Sequence, residues 1–139
     1  MRHMKAHLYS AVILAALGGC TLLKPAPKVV QTWESPAAEY PAICMLMLED
    51  GTLAFKGGLR FYQPGTWRQD AGTGILTLTL GGTEPFPTDL TKVQLRSKIG
   101  ALTGYNAQRR ELTYRVVPAT PFIALANFYF YPANTCHAN

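Results

Sequence analysis

Hydrophobic and polar residues alternate along much of the chain after residue 42, as they do in half-buried β-strands. The clearest case is 75–80, where leucines alternate with threonines, so the leucines share one face. Other strand-like segments lie at 43–48, 52–56, 59–62, 66–70, 111–117 and 123–131. Asp-Gly, Gly-Gly and Pro-Gly pairs separate several of them, and such pairs favour tight turns. The pattern predicts an all-β fold, a small antiparallel β-barrel or sandwich.

The N-terminus has a different pattern. Arg2 and Lys5 precede an apolar run at 8–17, and Gly18 and Gly19 follow it. A basic start, a short apolar run and small residues, in that order, are typical of a signal peptide, here a signal helix. About ten apolar residues are too few for a helix that spans a bilayer, which needs roughly 20. The alternative is a buried core helix that happens to precede a cysteine.

The residues Leu17-Gly18-Gly19-Cys20 resemble the lipobox of bacterial lipoproteins. In that family a diacylglycerol is attached to the cysteine sulfur and the chain is cut just before the cysteine. The resemblance implies a signal peptide at 1–19 and lipidation of Cys20, with palmitate among the expected acyl groups. Thr21, rather than aspartate, follows the cysteine, which favours the outer membrane, facing the periplasm. The lipid would then be the membrane anchor, since several acyl chains hold a protein on a bilayer stably.

Prolines are dense between Cys20 and residue 41, which is typical of an extended, semi-rigid linker. We therefore expect a Pro-rich tether at 20–41 and a β domain at 42–139. That length suits one domain and is too short for two.

The chain has three cysteines. If Cys20 carries lipid, Cys44 and Cys136 remain, and in an oxidising compartment such a pair is expected to form a disulfide. The bridge would tie the first strand of the domain to its last segment and could contribute roughly 4–5 kcal/mol by restricting the unfolded chain. The alternative is two separate thiols, one of them reactive.

Charge and residue types argue against catalysis and against nucleic acid. Loss of Arg2 and Lys5 would lower the formal charge from +5 to +3, which is mild for a nucleic-acid partner. Removal of the signal would leave His137 as the one histidine, close to the C-terminus, which is too little for a nucleophilic triad or a zinc site. No carboxylate spacing indicates a glycosidase pair. We expect a non-enzyme with no metal and no cofactor.

Met45 and Met47, next to Cys44, allow a second interpretation, since soft sulfur ligands bind copper(I). Methionine is also a flexible apolar residue that fills cores. We favour a core role for both.

The segment 96–110 is the best functional candidate in the sequence. It is glycine-rich, with 97–106 expected as a long exposed loop, and it carries basic, hydroxyl and aromatic side chains, as functional loops on rigid β scaffolds often do. A cationic loop suits a partner with an acidic surface. The alternative is an irregular connection whose basic residues face water. The candidate partner-binding residues are Arg96, Ser97, Lys98, Tyr105, Arg109 and Arg110.

Two family resemblances concern the domain. Asp50-Gly51-Thr52, Gly65-Thr66-Trp67 and the strand at 75–78 resemble the barrel of copper-homeostasis and envelope-stress lipoproteins, although the paired cysteines near the start of that barrel are absent. The early and late cysteines, Cys44 and Cys136, resemble the layout of membrane-bound C-type lysozyme inhibitors. Ser97, Gly100 and Tyr105 are similar to the serine, glycine and tyrosine of that family's inhibitory loop, with wider spacing.

These resemblances imply a lipid-anchored binding or inhibitor module of the cell envelope, with a cell-wall-lytic enzyme as one candidate partner. The alternative hypothesis is a structural accessory lipoprotein of an envelope assembly. A soluble partner that binds without the lipid would favour the module.

Overall fold

The structure is a computed structural model that describes residues 25–87, 102–116 and 122–139. The described residues form an all-β fold, a nearly closed antiparallel barrel, which confirms the predicted fold class. The strands are β1 (Val29–Ser35), β2 (Ile43–Leu48), β3 (Thr52–Lys56), β4 (Gly65–Gln69), β5 (Ile75–Thr79), β6 (Leu102–Asn106), β7 (Glu111–Arg115), β8 (Ile123–Leu125) and β9 (Phe128–Ala133). A short 3-10 turn, Arg60–Tyr62, precedes β4.

The sheet runs in the order β6-β7-β5-β4-β3-β2-β1-β9-β8. Each neighbouring pair is antiparallel, so successive strands in this order point to opposite ends of the barrel. The seam of the barrel therefore lies between β6 and β8.

Strand β1 lies where the sequence pattern predicted part of a tether. The segment Val29–Ser35 was expected inside the Pro-rich linker, but it pairs with β2 on one side and β9 on the other. Trp33 explains its place, because the indole is buried in the core and its Nε1 donates to Gln31 Oε1 at 3.2 Å. Prolines on both sides of the segment obscured this strand in the sequence pattern. A proline removes a backbone donor at its own position alone, so the residues between two prolines can still pair in a sheet.

Strand β6 is a second correction. The segment 97–106 was expected as a loop, but Leu102–Asn106 pairs with β7. The register shifts between Leu102 and Gly104, as at a β-bulge, which is where a glycine inside a strand is often found. The residues 96–101 of the expected loop lie outside the described residues.

The leucine face of β5 lies in the core, as the alternation predicted. Leu76 and Leu78 are fully buried, and so are Met45 and Met47, which supports the core role of these methionines. Thr77 differs from the prediction, because it is buried on the opposite face between its neighbours on β4 and β7. The other main core residues are Trp33, Ile43, Leu53, Phe55, Tyr62, Leu80, Leu112, Tyr114, Ile123, Leu125 and Phe130.

The Cys44–Cys136 disulfide is present, with 5.9 Å between the two Cα atoms. Cys44 belongs to a second small cluster with Ala42 and Ala138, separate from the main core. Side chains alternate between the two faces of β2, so this cluster lies on the outer face of the barrel, opposite Met45. The C-terminal segment 134–139 therefore packs against the outside of the sheet.

Gly57 allows this packing. Its φ is +88°, and a Cβ at this position would lie 2.8 Å from Ala138 Cβ and against the Ala42 carbonyl. A larger residue would push the C-terminal segment away from β2.

Candidate functional site

The β6–β7 hairpin carries the described part of the predicted binding segment. Tyr105 lies in β6, and the turn 107–110 places Arg109 and Arg110 at the same end of the barrel. Arg96, Ser97 and Lys98 lie outside the described residues.

Tyr105 and Arg109 are available to a partner. The Tyr105 ring is partly exposed and stacks on Phe86, with 6.1 Å between ring centroids and 26° between the planes. The Arg109 side chain is 74% exposed, and its Nη1 lies 4.0 Å from Glu111 Oε1, a weak surface ion pair. The two side chains place an aromatic ring and a largely exposed cation on one hairpin.

Arg110 has a structural role that its sequence position did not reveal. Its Nε donates to the Leu80 carbonyl at 3.1 Å and its Nη2 donates to the Gly81 carbonyl at 3.0 Å. Its backbone carbonyl accepts from the Leu80 N–H at 2.9 Å. These bonds tie the hairpin to the end of β5, so Arg110 positions the hairpin.

A second polar site joins the C-terminal segment to β1. His137 Nδ1 lies 2.9 Å from Glu34 Oε2, and the His137 backbone N–H donates to Glu34 Oε1 at 2.7 Å. The Glu34 side chain is only 12% exposed. The hydrogen bond from the His137 side chain lowers the pKa of Glu34, against the opposing effect of burial. His137 is thus held at the sheet rather than fraying from it.

This pair does not show in the sequence pattern because its members are 103 residues apart. The disulfide was the available signal. Glu34 lies opposite Cys44 in the β1–β2 register, and His137 follows Cys136. The predicted bridge would have placed His137 beside Glu34 if β1 had been recognised as a strand.

A cleft of about 560 Å³ lies beside the Glu34–His137 pair. A histidine paired with a carboxylate can act as the general base that activates a hydroxyl, thiol or amine nucleophile. None of the described side chains that line the cleft supplies one: Glu34, Pro36, Ala37, Pro41, Ala42, Gly57, His137, Ala138 and Asn139. The hydrogen bonds between Glu34 and His137 fix the C-terminal segment to β1.

Metal-ligating atoms also meet here. Oxygen or sulfur atoms of Glu34, Cys44 and Cys136 lie within 4.8 Å of one another. The two sulfurs are bonded to each other, so neither is the thiolate that a soft metal requires.

No protein-family model, curated protein or solved structure matches this chain in the comparisons. Among the described residues, no helix has the length and the hydropathy that crossing a bilayer demands.

Proposed function

We propose that this protein is a lipid-anchored binding module of the cell envelope that recognises a protein partner and catalyses no reaction. The observation that carries the proposal is the β6–β7 hairpin, on which Tyr105 and Arg109 are exposed. The anchor rests on the resemblance of Leu17-Gly18-Gly19-Cys20 to a lipobox, and it would place the domain at the outer membrane, in the periplasm.

The hairpin is suited to binding because its turn is anchored. Arg110 ties the turn to the carbonyls of Leu80 and Gly81, just after β5, so the backbone next to Arg109 is already held in place when a partner arrives. Tyrosine and arginine are common among the residues that dominate interface energies. Arg68 also lies beside this region, 3.8 Å from Glu111 Oε2. The basic character favours a partner with an acidic surface or cleft.

A cell-wall-lytic enzyme is the partner class that we favour. The support is the resemblance of the disulfide layout and of Ser97, Gly100 and Tyr105 to membrane-bound C-type lysozyme inhibitors. An inhibitor needs a projecting group, and the β6–β7 hairpin carries the exposed side chains of Tyr105 and Arg109.

The proposal is tested with the full chain in detergent, against a C-type lysozyme and against envelope extracts. We expect the wild-type chain to inhibit the lysozyme, and Tyr105→Ala with Arg109→Ala to weaken inhibition and capture by about tenfold or more. The Arg109 part of the loss should appear in the association rate and shrink as salt rises.

Val30→Ala is the control, because Val30 is an exposed apolar residue on β1, outside the hairpin. Capture of a partner without lysozyme inhibition would refute the inhibitor class. Equal capture by the wild type and the double variant would refute the hairpin as the binding site.

A further inference from the structure

A groove lined by aromatic rings lies where β9 begins, beside the segment 36–41. Its volume is about 370 Å³, within the range of about 300–1,000 Å³ that is typical of small-ligand sites. The lining includes Ser35, Glu39, Tyr40, Asn127, Tyr129 and Tyr131. Neither the hairpin residues nor the Glu34–His137 pair belongs to it.

Three rings form a platform on the outer face of the sheet. Tyr129 and Tyr131 are two positions apart on β9, so both side chains point outward, about 7 Å apart along the strand. Phe122 lies against both, with its centroid 5.6 Å from that of Tyr129 and 5.9 Å from that of Tyr131. Tyr40 also lines the groove and lies edge-on to Phe128, with 5.8 Å between the ring centroids.

The tyrosines that line the groove remain in contact with water. Tyr40 is 63% exposed, Tyr129 41% and Tyr131 46%. A concentration of exposed aromatic side chains marks a binding surface more often than a chance arrangement, because each ring leaves apolar area unburied.

The polar groups around the rings define the ligand. Ser35, Glu39 and Asn127 offer a hydroxyl, a carboxylate and an amide, and the described lining contains no lysine or arginine. A phosphate or a nucleic acid strand would need cations here. A neutral ligand with one apolar face and many hydroxyls fits instead, because the rings take the apolar face and the polar side chains take the hydroxyls.

We propose that this groove binds a neutral carbohydrate strand. The C–H faces of successive sugar rings lie on Tyr129 and Tyr131, while Asn127, Ser35 and Glu39 exchange hydrogen bonds with the hydroxyls. The site goes beyond the protein-binding function proposed above and depends on neither the hairpin nor the lipid.

Asn127 offers a sharp test because its backbone conformation allows substitution by glycine. Ala126 and Asn127 form the β8–β9 turn with φ of 51° and 69°, as in a type I′ turn. Glycine adopts such angles without strain. Asn127→Gly therefore removes the amide and keeps the turn.

The experiment measures binding of chitotetraose and cellotetraose to the full chain by calorimetry, in a polyoxyethylene detergent that carries no sugar. We expect saturable binding of at least one of them. Tyr129→Ala with Tyr131→Ala should weaken it by at least about tenfold, and Asn127→Gly should weaken it with no loss of thermal stability. Tyr105→Ala, the matched control, should bind like the wild type.

The proposal is wrong if the folded wild-type chain binds neither sugar, or if the double tyrosine variant binds as tightly as the wild type. Binding of a lysine-rich peptide in place of both sugars, lost in the same variant, would also overturn it and assign the groove to a protein partner. Loss of lysozyme inhibition in the hairpin variant with sugar binding intact separates this site from the proposed function.

Discussion

The Tyr114 hydroxyl in β7 donates a hydrogen bond of 2.9 Å to the Ala124 carbonyl in β8. The two strands lie near opposite ends of the sheet order, so this bond joins the sheet across the barrel seam. Tyr114 is fully buried, and burial raises the pKa of its phenol far above the usual value near 10. The side chain is therefore a neutral donor under all ordinary conditions.

Tyr114→Phe should destabilise the barrel by about 1–3 kcal/mol, because it leaves a buried carbonyl without this donor while it keeps the ring. Urea unfolding followed by circular dichroism measures the change. Tyr105→Phe is the control, since that hydroxyl is on an exposed ring, and it should change stability little. An unchanged midpoint for Tyr114→Phe would show that the seam does not depend on this bond.

Replacement of both bridging cysteines, Cys44→Ala with Cys136→Ala, should cost roughly 4–5 kcal/mol in the chain-entropy model, since the bridge spans 92 residues. Thermal and urea unfolding under non-reducing conditions give the comparison. A dithiol should lower the stability of the wild type and leave the double variant unaffected. If the double variant is as stable as the oxidised wild type, the bridge does not stabilise the fold.

The Glu34–His137 pair makes stability depend on pH. The pKa of Glu34 is lowered from its ordinary value of 4.5 in the folded protein. The ionised carboxylate therefore contributes stability that is complete above about pH 4.5 and is lost as the pH falls through the lowered pKa. Urea midpoints between pH 6 and pH 2.5 should fall less steeply for Glu34→Gln than for the wild type.

Asp50 and Asp70 also have lowered pKa values, through hydrogen bonds with Thr52, and with Thr73 and Gly72, respectively. Some acid dependence should therefore persist in Glu34→Gln. Parallel pH profiles for wild type and Glu34→Gln would contradict a stabilising role for the pair.

The two faces of β5 should respond differently to truncation. Leu78→Ala should cost about 2–5 kcal/mol, from lost burial and the cavity left behind. Thr79→Ala should cost much less, and Thr77→Ala should fall between them, because Thr77 is buried on the outer face. Urea unfolding of the three variants tests the order, and equal losses for Leu78→Ala and Thr79→Ala would contradict it.

Cys20→Ser should abolish incorporation of labelled fatty acid and leave an uncut precursor, because the lipid would be attached to the cysteine sulfur. Metabolic labelling and the mass of the product measure both effects. Cys44→Ala with Cys136→Ala controls for label at other cysteines and should remain labelled. Label in Cys20→Ser would show that another residue carries the lipid.

Short stretches of sequence predicted those parts of the fold that are determined by neighbouring residues. The leucine alternation of β5 was sufficient because one face of that strand is the core, and residue count with compartment predicted the disulfide. Strand β1 was missed because prolines flank it on both sides, and because one of its two partners, β9, follows it by about a hundred residues in the chain.

The candidate site was also only partly predictable from the sequence. Residue types indicated Tyr105 and Arg109 as candidate binding groups, but they could not distinguish Arg109 from Arg110, whose guanidinium donates to two carbonyls just after β5. The aromatic platform was equally hidden. Phe122 and Tyr131 come together only when β8 and β9 fold into a hairpin. Tyr40 reaches Phe128 only because β1, which precedes Tyr40, pairs with β9.

The direction of β1 distinguishes the two ends of the barrel. The Lys28 backbone N–H donates to Glu49 Oε1 at 3.1 Å, so the chain enters the barrel beside the β2–β3 turn. Seven residues of β1 then span about 20 Å to the opposite end. Antiparallel order places the β6–β7 and β8–β9 turns at that opposite end as well.

If Cys20 holds the lipid, the eight residues from 21 to 28 can extend at most about 28 Å between bilayer and barrel. The pole next to the membrane would then be the β2–β3 turn. Both candidate recognition surfaces, the β6–β7 hairpin and the aromatic groove, would then lie at the pole far from the membrane. They would reach a layer at a limited height above the membrane, in which a wall polymer and the enzymes that cut it would both be within reach.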